Sequence, residues 1–256
     1  MNNVIDNTLR IEASDLQDLL KLKFALHHPK LKKVVIDASV EKLPAYLFLG
    51  INTIEEVVFE KKLFRLTIGC GAFSQCRNLR TIDIPEGTAI IDEYAFSCTG
   101  LREVRLPSTL RSICYKAFEQ CHIKHITCYD DIGTVSQSAF QYCTEKRFEP
   151  KMENGRIVAY KGFLKDMTCR GFQYEEGKTY KIEGDPVICA NGFHACLNPL
   201  DVFNYYTPDF DRNAFHKVYL GGKYDFTDVD TKVCAQEITI GEELSFKQMI
   251  EEFNNF

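Results

Sequence analysis

Apolar residues recur along the first half of the chain at a nearly constant spacing of 22 or 23 residues. An Ala-Phe pair appears four times, with a β-branched residue four positions before each pair and a cysteine shortly after it. The pairs are Ala72-Phe73, Ala95-Phe96, Ala117-Phe118 and Ala139-Phe140. The cysteines, predicted to be buried as small, inward-pointing apolar residues, are Cys76, Cys98, Cys121 and Cys143. A fixed period in the twenties predicts a solenoid, because one coil cannot bury its apolar side without a neighbour.

A Leu-x-x-apolar-x-apolar segment follows the cysteine and predicts one short strand per coil. It occurs at residues 79–84 and 101–106, and degenerate copies occur at residues 31–36 and 54–59. The alternation places apolar side chains inward and the intervening ones in solvent. Pro85 ends its strand because proline lacks the N–H that the ladder needs. We therefore expect about five coils over residues 31–148.

The outward positions of these strands form the predicted partner-binding face. Charges of both signs alternate there, and aromatic anchors that dominate interface energies are absent. The face comprises Lys33, Glu56, Thr81, Asp83, Glu103, Arg105, His125 and Thr127. A solenoid face is a common protein-binding surface, so we expect a protein partner here.

Residues 1–30 are predicted to be an N-terminal capping helix, which would cover the first coil. Ser14 is the predicted N-cap, and His27-His28-Pro29 ends the helix. The predicted apolar side comprises Leu16, Leu19, Leu20, Leu22 and Phe24.

After residue 150 the repeat pattern stops, and residues 151–256 are predicted to be a separate small α+β domain. Short aromatic and β-branched strands alternate with glycines, as in residues 157–163, 169–174 and 179–182. Asn198 is the predicted N-cap of a helix through Tyr206, and a second helix covers residues 244–253. The fold class is α+β: a leucine-rich repeat solenoid with a helical cap, followed by this domain.

The repeated phrase resembles the BspA-like, or treponemal, leucine-rich repeats over about residues 31–145. The resemblance rests on Ile-x-x-x-Ala-Phe-x-x-Cys-x-x-Leu and on the proline after the strand. It implies a solenoid that binds proteins. The copy at Ala95-Phe96-Ser97-Cys98 is one residue shorter than the pattern.

Residues 156–250 resemble an uncharacterised domain of phage and bacterial proteins. The resemblance rests on residues 192–201, which read GFHACLNPLD, on Tyr205-Tyr206, and on the earlier phrases at residues 160–163 and 169–172. It implies an α+β fold without a known activity. A second resemblance, to ADP-ribosyltransferases, supplies the alternative of a repeat-targeted, NAD-using or otherwise nucleotide-binding enzyme. Its candidate catalytic residues are His194, Tyr160 and Glu237.

Charge and cysteine content exclude several classes of function. The formal net charge is −5, and the acidic excess lies in residues 149–256, so no basic field for nucleic acid is present. No run of 18 apolar residues and no secretory signal pattern occur, which predicts a cytoplasmic protein without a membrane span. The eleven cysteines contain no C-x-x-C pair, so reduced thiols and no metal site are predicted.

A small ligand pocket is the most specific prediction for the second domain. Arg170 is costly to place in an aromatic strand without a partner, and His194 lies just before a helix N-terminus that could hold an anion. Tyr160 and Tyr205 could supply stacking faces. The other interpretation pairs Arg170 with an acid such as Asp201 and buries the tyrosines. Overall we expect a protein-interaction module with an accessory domain and no cofactor.

Overall fold

The structure, a computed structural model, describes residues 4–61, 65–143, 150–227 and 231–255. The chain divides into two compact units, Met1–Thr144 and Glu145–Phe256. The predicted end of the repeats at residue 148 lies outside the described residues. No helix in the described segments is long and apolar enough to cross a membrane.

The first unit is a solenoid whose described residues contain eleven short strands and one α-helix. The helix is α1 (Leu19–Leu26). The strands are β1 (Thr8–Ile11), β2 (Lys33–Ile36), β3 (Lys42–Leu43), β4 (Glu56–Phe59), β5 (Leu66–Ile68), β6 (Thr81–Asp83), β7 (Thr88–Ile91), β8 (Glu103–Leu106), β9 (Ser112–Ile113), β10 (His125–Cys128) and β11 (Thr134–Val135).

All ladders of the solenoid are parallel, since successive coils run in the same direction. One sheet has the order β1-β2-β4, a second has the order β6-β8-β10, and a third has the order β3-β5-β7-β9-β11. Each predicted strand exists, and a second strand in each coil, which the pattern did not predict, builds the third sheet. The predicted solenoid and the separate second domain are confirmed.

The Ala-Phe pairs form the core of the solenoid. The Phe96 ring stacks between Phe73 and Phe118, with 5.3 Å between centroids on each side. The same stack continues to Phe48 at one end and Phe140 at the other. The alanines are fully buried, and the Phe73, Phe96 and Phe118 N–H groups donate to the Ala carbonyl of the next coil, as at 2.8 Å from Phe96 to Ala117.

The cysteine column is regular except in the short copy. Cys76, Cys121 and Cys143 are fully buried, and each thiol donates to the carbonyl of a phenylalanine in an earlier coil. Cys98 is only half-buried and has a φ of 57°, so the prediction of an inward side chain is wrong for this residue. Thr99 takes the inward position, because the column follows the distance from Phe96, and its hydroxyl contacts the Cys121 thiol at 3.1 Å.

The N-terminal segment differs from the predicted capping helix. β1 joins the first sheet beside β2, and a 3-10 turn, Asp15–Gln17, precedes α1. Ser14 makes no capping hydrogen bond, whereas the Asp18 carboxylate caps α1 by accepting from the Lys21 N–H. The buried face of α1 is Leu22 and Leu26. The predicted apolar side is therefore wrong for Leu19, Leu20 and Phe24, which are exposed.

The second unit is an antiparallel sheet with one α-helix, α2 (Phe246–Asn254), against it. Its strands are β12 (Met152–Glu153), β13 (Arg156–Leu164), β14 (Thr168–Cys169), β15 (Phe172–Gln173), β16 (Thr179–Lys181), β17 (Phe193–Cys196), β18 (Asn213–Phe226) and β19 (Lys232–Glu243). β13 pairs with β18, β18 with β19, β19 with β17, and β17 with β13, so these four strands form a closed ring.

The ring encloses the core of the second unit, whose members include Phe163, Ala195 and Val218. The last pairing of the ring is weak, because β13 and β17 pair only at Tyr160 and Cys196. The predicted helix from Asn198 is a short 3-10 helix, Pro199–Asn204, with Asn198 as its N-cap. The final helix α2 has Ser245 as its N-cap in a capping box with Gln248.

Candidate functional site

A cavity of about 470 Å³ lies within the second unit, between β13, β17, the β14–β15 hairpin and the end of the 3-10 helix. Four of its lining residues are basic, namely Lys161, Arg170, Lys181 and Lys232. Within the described part of the chain no Asp or Glu lines it. This distribution is opposite to the composition, because residues 149–256 contain 18 acidic against 12 basic residues.

The hairpin between β14 and β15 carries Arg170 on its turn. Arg170 and Gly171 have φ of 49° and 78°, the left-handed conformation that two-residue hairpins require at both positions. Asn or Gly usually occupies the first position, and an arginine there is strained. Its side chain is exposed, and no described acid forms an ion pair with it.

His194 lies on β17 and is a neutral hydrogen-bond acceptor. Its Nε2 accepts from the Cys189 N–H at 2.8 Å, so the proton of the ring is on Nδ1. Burial lowers the pKa of His194, the Lys161, Arg170 and Lys232 charges lower it further, and only a hydrogen bond to the Gly192 backbone opposes them. Neutral His194 cannot supply a positive charge to an anion.

Lys161 is the lysine that lies deepest in the cavity wall. It is 8% exposed, and its Nζ donates to the backbone carbonyl of His194 at 2.9 Å. Its Nζ also lies 5.5 Å from the Phe163 ring centroid and 6.0 Å from that of Tyr174. Burial lowers the pKa of its amine, and Arg170 acts in the same direction against the opposing effect of Cys169.

One wall of the cavity is aromatic. Phe172, Tyr174 and Tyr180 pack edge to face, with centroid separations between 4.8 and 5.4 Å. On the other side Tyr206 covers Gly162, where a Cβ would lie 2.5 Å from two Tyr206 ring atoms. The Tyr206 hydroxyl is 2.9 Å from the Cys169 thiol. An aromatic wall and basic groups in one cavity suit a ligand that has both a ring and a negative charge.

The structure places all four predicted pocket residues on the wall of this one cavity: Tyr160, Arg170, His194 and Tyr205. Their role as ligand-binding residues stays a prediction. Tyr160 is not a stacking face, because its hydroxyl donates to Glu252 of α2 at 2.6 Å on the face opposite Lys161. The Tyr205 ring lies 4.3 Å from the Lys232 ammonium.

Two predicted details of the pocket are wrong. The helix after His194 has six residues and is 3-10 in type, so no helix N-terminus serves as an anion site. Asp201 is not a partner of Arg170, because it is buried and accepts from the Thr231 hydroxyl at 2.6 Å.

The candidate acid of the catalytic alternative, Glu237, lies outside the cavity. Glu237 on β19 pairs with Lys181 at 2.9 Å and does not line the cavity. An ADP-ribosyl transfer needs a negative group beside the developing positive charge of the ribose. Among the described residues the cavity supplies none, so His194, Tyr160 and Glu237 do not form the predicted catalytic set.

Lys161 was missed by the sequence prediction. A signal was available, because residues 157, 159, 161 and 163 share one face of a strand and three of them are apolar. A lysine on the apolar face of a strand is a candidate for a buried charge.

On the first unit, the predicted partner-binding face is exposed, and residues of opposite charge on this face pair with each other. Lys33 pairs with Glu56 at 2.7 Å across β2 and β4, and Arg105 lies 3.7 Å from Asp83 across β8 and β6. Such exposed pairs contribute little to stability. The role of the face stays a prediction.

A row of tyrosines lies elsewhere on the solenoid, at the turns before the Ala-Phe pairs. This tyrosine row consists of Tyr46, Tyr94 and Tyr115. Tyr46 packs over Gly71, and Tyr94 meets Tyr115 edge to face at 5.7 Å. Tyr46 is 52% exposed and Tyr115 is 40% exposed. The predicted absence of aromatic anchors concerned the strand face alone, and the tyrosine row lies outside that face.

Comparisons with known families divide the chain in the same way. Residues 23–146 match the family described as BspA type leucine rich repeat region, in six copies, where five coils were predicted. Residues 157–252 match the family described as Domain of unknown function (DUF7666). No curated protein matches the chain.

Among solved structures, the chain is similar to leucine-rich repeat proteins of bacteria. A leucine-rich repeat protein of Bacteroides ovatus is 22% identical over 39% of this chain and 26% of its own length, with a TM-score of 0.36. A leucine rich cell surface protein of Faecalibacterium prausnitzii is 18% identical over 50% of this chain and 42% of its own, with a TM-score of 0.34. The chain thus spans less than half the length of either structure.

Proposed function

Because the chain joins BspA-type leucine-rich repeats to a DUF7666 domain, we propose that it is a binding protein with two kinds of site. The repeat family indicates a protein-interaction role for the first unit. The second unit binds a small anionic ligand in its cavity. The predicted cytoplasmic location remains a prediction.

The observation that carries the second site is the set of basic residues around one cavity. Arg170 and Lys232 both act on His194 electrostatically, which places their two positive charges near the same imidazole ring. Like charges repel, so bringing them close together costs free energy in the unliganded protein. An anion that enters the cavity removes this cost, and its binding is favoured for that reason.

The ligand's size follows from the cavity and its walls. A volume of about 470 Å³ admits a small molecule and not a polymer. The aromatic wall of Phe172, Tyr174 and Tyr180 suits a planar apolar group beside the anion. We therefore choose phenyl phosphate as the probe and phenol as the matched neutral compound.

Isothermal titration calorimetry of the full chain tests this site. Phenyl phosphate is expected to bind and phenol to bind much more weakly. Arg170→Asn removes one charge and suits the turn, because asparagine tolerates a positive φ. A charged hydrogen bond contributes about 1.5–3 kcal/mol, so this variant should weaken binding roughly ten- to a hundredfold.

The matched control is Lys178→Asn. Lys178 pairs with Glu175 on the surface of the same unit and does not line the cavity. This variant should bind as the wild type does. If both variants weakened phenyl phosphate binding equally, or if phenyl phosphate and phenol bound equally well, the result would contradict a specific anion site in the cavity.

The tyrosine row supports a contact surface on the repeats. Tyrosine is enriched among residues that carry binding energy at interfaces, because its ring buries a large area with few rotatable bonds. Here Tyr46 and Tyr115 are exposed, while four charged residues of the strand face already form the two pairs described above. We therefore assign the protein contact to the tyrosine row ahead of the strand face.

Affinity capture from an extract of the cells that make the protein compares the two surfaces. The double variant Tyr46→Ala/Tyr115→Ala should lose proteins that the wild type retains. The double variant Lys33→Ala/Arg105→Ala alters the strand face and is the matched control. The reverse outcome would assign the contact to the strand face, and identical capture by all three would remove the tyrosine row from consideration.

A further inference from the structure

Lys161 is buried beside the cavity without a negative partner. Its Nζ donates to the His194 carbonyl, which is uncharged, and lies over two aromatic rings. No Asp or Glu is among the described groups that act most strongly on its amine. A buried ammonium normally requires a carboxylate, because burial removes the water that stabilises the charge.

Burial without a carboxylate partner favours the neutral form of this amine. Burial lowers the pKa of Lys161, and the guanidinium of Arg170 disfavours a second positive charge nearby. The Cys169 and Cys196 thiols act in the opposite direction, but burial has the larger effect. A lysine amine desolvated beside another cation is a nucleophile, because its lone pair is free.

We propose that Lys161 forms a reversible imine with an anionic carbonyl compound, specifically an aromatic 2-oxo acid, held in the cavity. This inference rests on the anion site proposed above. Arg170 and Lys232 face the carboxylate, the aromatic wall faces the ring, and the carbonyl carbon meets the Lys161 amine.

The step needs no oxidant or reductant. The amine nitrogen attacks the carbonyl carbon, and a C–N bond forms as the C=O π bond breaks. The oxygen takes up the two amine protons and leaves as water, and a C=N bond results. Attack by water on the imine reverses the step and restores the free amine and the ligand.

Proton-bearing groups are in place for the loss of water. The Tyr206 hydroxyl and the Cys169 thiol are 2.9 Å apart in the cavity wall. Departure of the oxygen requires a proton in the transition state, and a positioned hydroxyl or thiol can donate it. Gly162 permits this arrangement, since a Cβ there would displace Tyr206.

Trapping with borohydride tests the imine on the full chain. Phenylpyruvate is the probe, and borohydride reduces an imine to a stable secondary amine that peptide mass mapping locates. The label is expected on Lys161 and is expected to be lost in Lys161→Met. Lys165→Met is the matched control, because Lys165 lies just after the same strand and pairs with Glu243 on the surface.

Phenyllactate, the corresponding 2-hydroxy acid, keeps the ring and the carboxylate but lacks the keto group, and it separates the two proposals. If it raises the Tm and suppresses the Lys161 label in the wild type, both proposals stand. If it raises the Tm but phenylpyruvate labels Lys161 no more than exposed lysines, the imine is refuted and the anion site remains. If neither compound raises the Tm and no selective label forms, both proposals fall. The competition uses only wild-type protein, so the outcome does not depend on the folding of a variant.

Discussion

The phenylalanine stack of the solenoid offers a sharp stability prediction, and the perturbation is Phe96→Ala. Phe96 is fully buried between two rings, whereas Phe48 is equally buried but has one described ring neighbour, Phe73. Removing a buried phenylalanine costs about 3–5 kcal/mol through lost burial and the cavity left behind. Each aromatic pair adds roughly 0.5–1.5 kcal/mol beyond area burial.

The two variants therefore differ by one ring pair. Phe96→Ala should lower the free energy of unfolding by about 0.5–1.5 kcal/mol more than Phe48→Ala, because the burial of the two side chains is matched. Phe96→Leu keeps most of the apolar volume and should recover much of the loss.

Hydrogen exchange measured by mass spectrometry at increasing urea concentration suits this comparison. The chain contains no Trp, and two units need not unfold together, so one spectroscopic signal would mix them. Peptides from residues 65–143 report on the solenoid, and peptides from residues 150–227 serve as an internal control. Equal losses for Phe96→Ala and Phe48→Ala, or a loss confined to the second unit, would refute the stacking argument.

Three further changes test other parts of the structure. Burial raises the pKa of the Cys121 thiol to about 12 from its ordinary value of 9.0. Unfolded chains therefore lose this proton at a lower pH than folded chains do, and the free energy of unfolding should fall as the pH rises between these values. Cys121→Thr, which copies Thr99, should reduce this dependence of the unfolding free energy on pH in alkaline urea titrations, and an unchanged dependence would contradict the argument. Glu252→Ala leaves Lys217 and Tyr160 without their bonds of 3.2 and 2.6 Å and should cost about 2 kcal/mol, measured by thermal denaturation against Glu251→Ala on the exposed side of α2. Gly162→Ala should displace Tyr206 and abolish phenyl phosphate binding in calorimetry. Gly221→Ala, outside the cavity lining and with contacts of 3.6 Å or more for the added Cβ, should leave the binding unchanged.

Local patterns predicted well wherever neighbouring residues decide the structure. The Ala-Phe pairs and the strand alternation gave the solenoid, because every coil faces a copy of itself and the same contacts repeat. The start of α2 was predicted to within two residues, since its capping box of Ser245 and Gln248 lies within four residues. The prediction was wrong for Cys98 because the repeats were aligned on their cysteines. The buried position instead lies at a constant distance along the chain from the phenylalanine.

The N-terminal helix shows where a local pattern is insufficient. Leu20 and Phe24 are apolar at helical spacing, yet they are exposed, and Leu22 and Leu26 are buried instead. The difference depends on which side of α1 faces the first coil, and β1 occupies part of the position that the helix was predicted to cover. Apolar periodicity predicts which side of a helix is apolar, but it does not show which element packs against the helix.

The sequence by itself determined the repeats, the change of pattern after residue 150 and several residues of the cavity. Arg170, His194 and Tyr205 were selected because their chemistry is costly or unusual in their local context. Only the tertiary structure decided that Lys161 joins them, that Tyr160 turns to Glu252, and that Glu237 is elsewhere. The physical reason is that the ring of β13, β17, β18 and β19 is closed by pairings between distant segments, and long-range pairing sets which face each side chain occupies.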